Sequence, residues 1–486
     1  MNHKSQKIIT RFAPSPTGYL HIGSVRTALY AYLFAKKNNG EFILRIEDTD
    51  KAREVDGSID HIIESMHWLG IDWDFGPDKP GNFDSCLQSE RLDIYKEYAK
   101  KLIANGFAYP DPYSAEELAA FREEAQADNR QFLYRTHRPE TFADWDGTKP
   151  LRFKTPEVKR YEWNDAVRGK LTAGEEMLDD IILIKADGYP TYNFAHIVDD
   201  IEMKVTHVMR GEEFISSTPK FLSIYDALGV PYPIFATLPP IMGPDGNKKL
   251  SKRDGAKDLL EYRSDGYLPE AMTNFLALIG WNPGGDDEIF NPEQLIELFT
   301  LEKIQKSGGA FNAEKLLWMN KEYLQMQSIE FLADYLDNAL NSADSPEKDY
   351  DKNILQKLAP VIFERIHNKI EIRENFEAGE YSWAFTAPIY EAILLKWKKD
   401  DSIKDAEPRL QSVMKLLEEA DFSTKETIKT AIWDYVEKVG RGDVLWPLRV
   451  ALSGREKSPD PFTIAHTIGK EETISRIITA CDKINK

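Results

Sequence analysis

The stretch RFAPSPTGYLHIG, residues 11–23, decides the fold. Just ahead of it, KIITRFA is a short β-favouring run. Behind it, SVRTALYAYLFAKKNNG carries Val25, Ala28, Leu29, Tyr32 and Leu33 at helical spacing. Ser24 is the expected N-cap, and Gly40 the stop after the last lysines. EFILRIE reads as a second strand. Residues 7–47 are therefore strand, turn, helix and strand, a βαβ unit that calls for a parallel sheet. The turn is stiff at Pro14 and Pro16 and bare at Gly18 and Gly23, with donors on Thr17 and His21. A helix N-terminus presents unpaired N–H groups and a positive dipole, and a bare turn before it lets an anion approach. A phosphate cradle and a rigid turn merely capped by His21 both fit this pattern.

Working outward, helical patterns cover about 55–70 and 88–105. From 107 to 190 the texture changes to polar loops and short strands such as PLRFKT and DDIILIKADG, which reads as an insertion into the first domain. MKVTHVMRGEEFISSTPKFLSIYDALG then returns to strand, loop and helix. Beyond about 260 nearly every segment is a helix pattern, and NSADSPEKDYD, residues 341–351, reads as a linker or inter-domain loop. A chain of 486 residues is too long for one ordinary core. Its two cysteines, Cys86 and Cys481, exclude a disulfide framework and point to a reducing cytoplasm. No apolar run approaches the roughly 20 residues of a membrane span, and the N-terminus has no leader-like apolar stretch. The net charge of -19 argues against non-specific nucleic-acid affinity while leaving room for a specific RNA held by a local basic patch.

A second cluster, NKKLSKRDG at 247–255, packs three lysines and an arginine between glycines. A solvated basic loop has this composition, and so does a loop that neutralises charge on a polyphosphate. Together the two clusters resemble the paired signatures of class I aminoacyl-tRNA synthetases, HIGS at 21–24 and KLSKR at 249–253. RIEDTD, GYPTYNFAHIVDD, THVMRGEE, PLRVALSG and IGKEE narrow the resemblance, end to end, to bacterial glutamyl-tRNA synthetases.

The resemblance implies an α/β Rossmann-like catalytic domain at 1–106 and 191–260. It implies an inserted α+β connective domain at 107–190 that meets the acceptor stem. All-α domains follow, one contacting the stem at 261–335 and one binding the anticodon at 336–486. It implies activation of L-glutamate with ATP and Mg²⁺, then transfer to tRNA(Glu), by a monomer. His21, Lys249, Lys252 and Arg253 are then catalytic, and Thr17, Gly18, His21, Gly23 and Lys252 hold ATP. Arg11, Ala13, Ser15, Glu47, Tyr192 and Arg210 face glutamate, because a guanidinium holds a carboxylate in a bidentate fork. Arg365 is a candidate for reading an anticodon base, and Trp383, Trp433 and Trp446 for stacking RNA bases. A form that also charges tRNA(Gln), and an inactive tRNA-binding paralogue, are the alternatives.

The sequence departs from many such relatives at one point. Pro110 and Pro112 stand where zinc-binding cysteines are expected, and downstream only His137 is offered. One histidine cannot replace a four-ligand thiolate site, so no structural zinc is expected.

Overall fold

A computed structural model describes residues 7–250, 257–341 and 350–486. The chain divides into two units, residues 1–263 with 269–316, and residues 264–268 with 317–486.

The first unit opens as its turn chemistry demands. β1 (Ile9–Phe12) leads through the turn into α1 (Ile22–Lys37) and β2 (Glu41–Leu44), which pairs with β1 in parallel. The apolar stripe of α1 is buried, with Val25, Ala28 and Leu29 all fully inaccessible. α2 (Ser58–Trp68) and α3 (Leu92–Ala104) follow. The inserted stretch supplies β3 (Ala108–Pro110), α4 (Ala115–Ala127), β4 (Leu151–Phe153), β5 (Tyr161–Asp165), β6 (Gly169–Ala173) and β7 (Ile182–Ile184). Its strands form a separate antiparallel sheet, β3-β4-β7, and a β5-β6 hairpin. Tyr161 and Trp163 of the hairpin pack with Ile43, Val208 and Phe235, so the insertion shares a core with the main sheet. α5 (Tyr192–Glu202), β8 (His207–Gly211), α6 (Thr218–Leu228) and β9 (Ile234–Leu238) complete a four-stranded parallel sheet in the order β2-β1-β8-β9. Connections leave β1 toward β2 on one side and reach β8 on the other. This is the strand-order reversal that opens a crevice at the carboxyl ends. β10 (Ile241–Met242), α7 (Leu259–Ser264), α8 (Pro269–Leu278), α9 (Pro292–Leu298) and β11 (Gly309–Ala310) close the unit.

The second unit takes most of α10 (Ala313–Gln325), then α11 (Ile329–Leu340), α12 (Lys352–Phe363), α13 (Lys369–Glu377), α14 (Ala406–Glu418), α15 (Lys425–Val439), α16 (Arg441–Ser453), α17 (Pro461–Ile468) and α18 (Lys470–Asn485). It is helical with no paired strand among the described residues.

Three readings change. The cap of α1 is His21, not Ser24, because the His21 imidazole reaches the first-turn N–H groups. Residues 341–351 do not separate domains, since α11 and α12 on either side pack together within the second unit; residues 342–349 lie outside the described part. The breaks drawn at 260/261 and 335/336 fall inside α7 and α11, helices whose buried faces run through those points.

Candidate active site

A cavity of about 530 Å³ opens at the carboxyl end of the sheet, where β1, β2 and β8 end. Arg11, Ala13, Ser15, Thr17, Gly18, His21, Gly23, Glu47, Tyr192, Arg210 and Lys249 all line it. Lys252 and Arg253 lie outside the described residues. The RIEDTD stretch reaches the turn through its backbone: the Glu47 N–H donates to the Pro14 carbonyl at 2.9 Å. Arg11 stands on β1, Arg210 on β8, and Tyr192 opens α5.

His21 explains the turn's chemistry. Its Nδ1 accepts from the N–H groups of Gly23 (3.1 Å) and Ser24 (3.4 Å). That role leaves Nε2 as the protonated edge of a neutral ring, 3.3 Å from Ser24 Oγ. Gly23 suits this arrangement, because a Cβ there would stand 3.1 Å from the His21 ring and push it by a few tenths of an ångström. At Gly18 a Cβ would meet nothing within 4 Å, so its bareness matters only to whatever enters the cavity.

The walls are strongly charged. Arg45 is fully buried and pairs with Asp200 (2.8 Å) and Glu47 (3.2 Å); Arg11 pairs with Asp200 at 3.1 Å. Burial opposes the charge on Asp200, yet Arg11 and Arg45 outweigh it and hold its carboxyl down at about 2. Glu47 goes the other way: burial pushes its carboxyl up to about 7 against the pull of Arg45 and Arg11. Asp199 accepts from Gln88, Arg91 and Tyr95, each at 2.8 Å. These three carboxylates are thus shared among Arg11, Arg45 and Arg91.

Arg210, like Arg26 in the same lining, meets no carboxylate among the described residues. Its Nη2 donates to Thr218 Oγ1 at 2.6 Å, but its Nε and Nη1 are buried without a partner. Phe214, Phe221 and Phe235 surround it, and burial lowers its pKa to about 10. A buried guanidinium with idle donors is costly unless an anion completes it.

Asp200, Arg45 and His196 escaped the sequence reading. Tyr192, His196 and Asp200 are spaced by four along α5 and share one face of the helix. That spacing was the available signal. His196 donates from Nδ1 to the Tyr192 carbonyl at 2.6 Å and stacks on the Tyr192 ring; burial lowers its pKa to about 3, so it stays neutral.

The residues at the expected zinc position do not suit a metal. Pro110 and Pro112 have no ligating side chain, and the carboxylate between them, Asp111, is engaged by Arg152 (2.5 Å) and the Tyr134 hydroxyl (2.6 Å). The His137 ring lies stacked on Phe121.

In the second unit a cavity of about 1200 Å³ is lined by Arg365, Arg449, Arg455, Lys357, Lys425 and Lys457, with carboxylates interleaved. Arg365 is exposed, and Arg449, which went unnoticed in the sequence, has a buried Nε without a partner. Trp383 is only 1% exposed, so the stacking role read for it fails: its ring is consumed by the core. Trp446 is half-buried and donates to the Leu394 carbonyl. Trp433 is half-buried between Lys429 and Arg441.

Comparison with known proteins agrees with this arrangement. Residues 7–318 match the family described as tRNA synthetases class I (E and Q), catalytic domain, and residues 324–481 match the anticodon binding domain. A glutamate–tRNA ligase of Clostridium botulinum (strain Hall) is 40% identical over 494 residues, 99% of each chain. One of Christiangramia forsetii is 39% identical over 515 residues, covering 99% of this chain and 100% of its own. The crystal structure of a glutamate tRNA ligase from Elizabethkingia meningosepticum in complex with its amino acid superposes with a TM-score of 0.84 at 37% identity, over 98% of this chain and 99% of that one. Matched along its whole length in sequence and in fold, the chain belongs to the glutamate–tRNA ligases, class I synthetases with a catalytic domain followed by a helical anticodon-binding domain.

Proposed function

We propose that the cavity at the end of the sheet binds L-glutamate and ATP and forms glutamyl-adenylate, which passes to the terminal adenosine of tRNA(Glu). The observation that carries this is Arg210, a buried guanidinium with two idle nitrogens, beside Arg11 and Arg45, which already pair with carboxylates. Arginines and a carboxylate on one wall match a ligand with two carboxylates and one ammonium. Arg210 and Arg11 take carboxylates, Glu47 takes the ammonium, and Tyr192, Ala13 and Ser15 complete the wall. Glutamine, lacking the second charge, leaves a guanidinium poorly paired, which is a basis for rejection.

The glutamate α-carboxylate attacks the α-phosphorus of ATP and pyrophosphate leaves. The terminal 2′-hydroxyl of the tRNA then attacks the acyl carbon and AMP leaves. The chain supplies alignment and charge rather than a covalent nucleophile. The turn from Thr17 to Gly23, with the His21 Nε2 edge, faces the ATP phosphates. Lys249, Lys252 and Arg253 neutralise charge on the departing pyrophosphate. Mg²⁺ arrives with ATP as part of the substrate. In the helical unit, Arg365 and Arg449 face the anticodon. We infer a monomer in the reducing cytoplasm, where its thiols Cys86 and Cys481 stay free.

The test is charging of purified tRNA(Glu) and tRNA(Gln) with labelled glutamate. Product on tRNA(Glu) alone is expected. Product on both would favour the tRNA(Gln)-charging form, and none on either would leave only an RNA-binding paralogue.

Two outcomes follow from the same reading. Bound ammonium favours the Glu47 carboxylate, whereas the empty site protonates it below about pH 7. Binding at lower pH therefore expels a proton. The KM for glutamate is expected to rise about tenfold per unit as pH falls below 7 and to level off above it. Glu47→Gln should flatten that profile; an unchanged slope would dissociate Glu47 from the ammonium. Elemental analysis of the purified protein should find no stoichiometric zinc, and one zinc per chain would overturn the reading of Pro110 and Pro112.

A further inference from the structure

We propose that His61, which belongs to neither signature motif, is a positioning residue for adenylate formation, holding the phosphate turn and the chain beyond the lysine cluster in one register. This rests on the reading of the cavity as the ATP site.

The contacts of His61 are specific. It stands on α2 and its side chain is 11% exposed. Its Nε2 donates to Asp258 Oδ1 at 2.8 Å, and its Nδ1 accepts from the Leu20 N–H and the Ser65 hydroxyl, each at 3.4 Å. A carboxylate only accepts and a backbone N–H only donates, so these partners fix which ring nitrogen donates and which accepts. One face of the ring stacks on Tyr19, with centroids 4.5 Å apart. Tyr19 is 56% exposed and lines the cavity. One turn earlier on α2, Ser58 Oγ donates to the Gly18 carbonyl at 2.8 Å. Helix α2 thus supports three consecutive residues of the turn from behind.

Asp258 is the other half of the device. It accepts from the Leu260 N–H at 2.8 Å, capping α7. Its backbone pairs with His21 in an antiparallel bridge, and the Leu259 N–H donates to the Leu20 carbonyl at 3.2 Å. In the first half of the lysine cluster, the Leu250 N–H donates to the Ile241 carbonyl at 2.9 Å. The chain is therefore tied down both within the first half of that cluster and just beyond it, and the second tie runs through His61. Catalysis by alignment is sensitive to small displacements of such supports, even when they touch no substrate.

The decisive variant is His61→Phe, which keeps the ring stack and most of the volume but loses both hydrogen-bonding edges. ATP–pyrophosphate exchange with saturating tRNA and glutamate is the assay. The KM for ATP is expected to rise about tenfold and the exchange rate to fall, with the KM for glutamate and the affinity for tRNA within about twofold of the parent. His61→Gln, whose amide can still donate to Asp258, should recover most of the ATP term. Asp258→Ala should add less than about twofold on the His61→Phe background, because the two act as one unit. A structural role alone would lower the melting temperature and the active fraction while leaving the KM for ATP in place. That result, or a parallel rise in every KM, overturns the proposal. Absence of exchange in the parent would instead refute the reading of the cavity.

Discussion

Arg210→Gln is expected to raise the KM for glutamate by about 10²- to 10³-fold while leaving the protein as stable as before, or more so. Removing one partner of a buried, hydrogen-bonded charge pair commonly costs about 2–5 kcal/mol of binding. In the free protein the accounting is reversed. Arg210 is buried among phenylalanine rings with two nitrogens unpartnered, and burial already lowers its pKa to about 10. The side chain is a burden on the empty fold, one that the ligand relieves. The glutamine retains a polar head without the charge, and Thr218 still donates to the Phe214 carbonyl at 2.9 Å. Steady-state exchange kinetics and thermal unfolding on the same preparation check both signs. A KM within threefold of the parent would remove Arg210 from the carboxylate site. A large drop in melting temperature would show that its positive charge belongs to the architecture.

Asp200→Asn is expected to do the opposite, lowering stability by about 3–5 kcal/mol, because it leaves buried Arg11 without its counter-charge and takes one of three carboxylates from Arg45. Asp200 accepts from Arg11 at 3.1 Å and from Arg45 at 2.8 Å, and all three side chains are almost inaccessible. Its carboxyl lies at about 2 in the fold, below its ordinary value of 3.8. For a group whose folded pKa is depressed, the contribution is complete above the unfolded value and disappears as pH falls through the folded one. The part of the gap between parent and variant in denaturant unfolding that belongs to Asp200 should therefore be complete above about pH 4 and be lost as pH falls from there toward 2. Because Arg11 loses its anchor, glutamate binding weakens as well. A stability loss under 1 kcal/mol would mean that Arg11 and Arg45 find other partners and that Asp200 does not organise the wall.

The parts of this protein that could be read directly are those in which neighbouring residues act on one another. Prolines and glycines in residues 11–23, an apolar stripe at helical spacing in α1, and a second β-rich run predicted the βαβ unit, and β1, α1 and β2 form it. Motif resemblance then assembled Arg11, Glu47, Tyr192 and Arg210, and the fold brings all four to one cavity. What escaped was settled at long range. Ser24 and His21 are both sound caps by composition, and only the imidazole's reach to Gly23 and Ser24 N–H chooses between them. Trp383 reads like Trp433 in the sequence, but one is sealed in a core while the other keeps an accessible face between two cations. Arg45 and Asp200 stand 155 positions apart. Nothing local pairs them, because a charge selects its partner only after folding has removed water from both. Residues 264–268 likewise join the second unit though the chain on either side of them belongs to the first. Dihedral preference and periodicity act over a few residues, so the local run of strand, turn and helix at residues 7–47 was legible in advance. Which arginines meet carboxylates, and that Arg210 does not, follows only from the assembled interior, since desolvation and pairing are its properties.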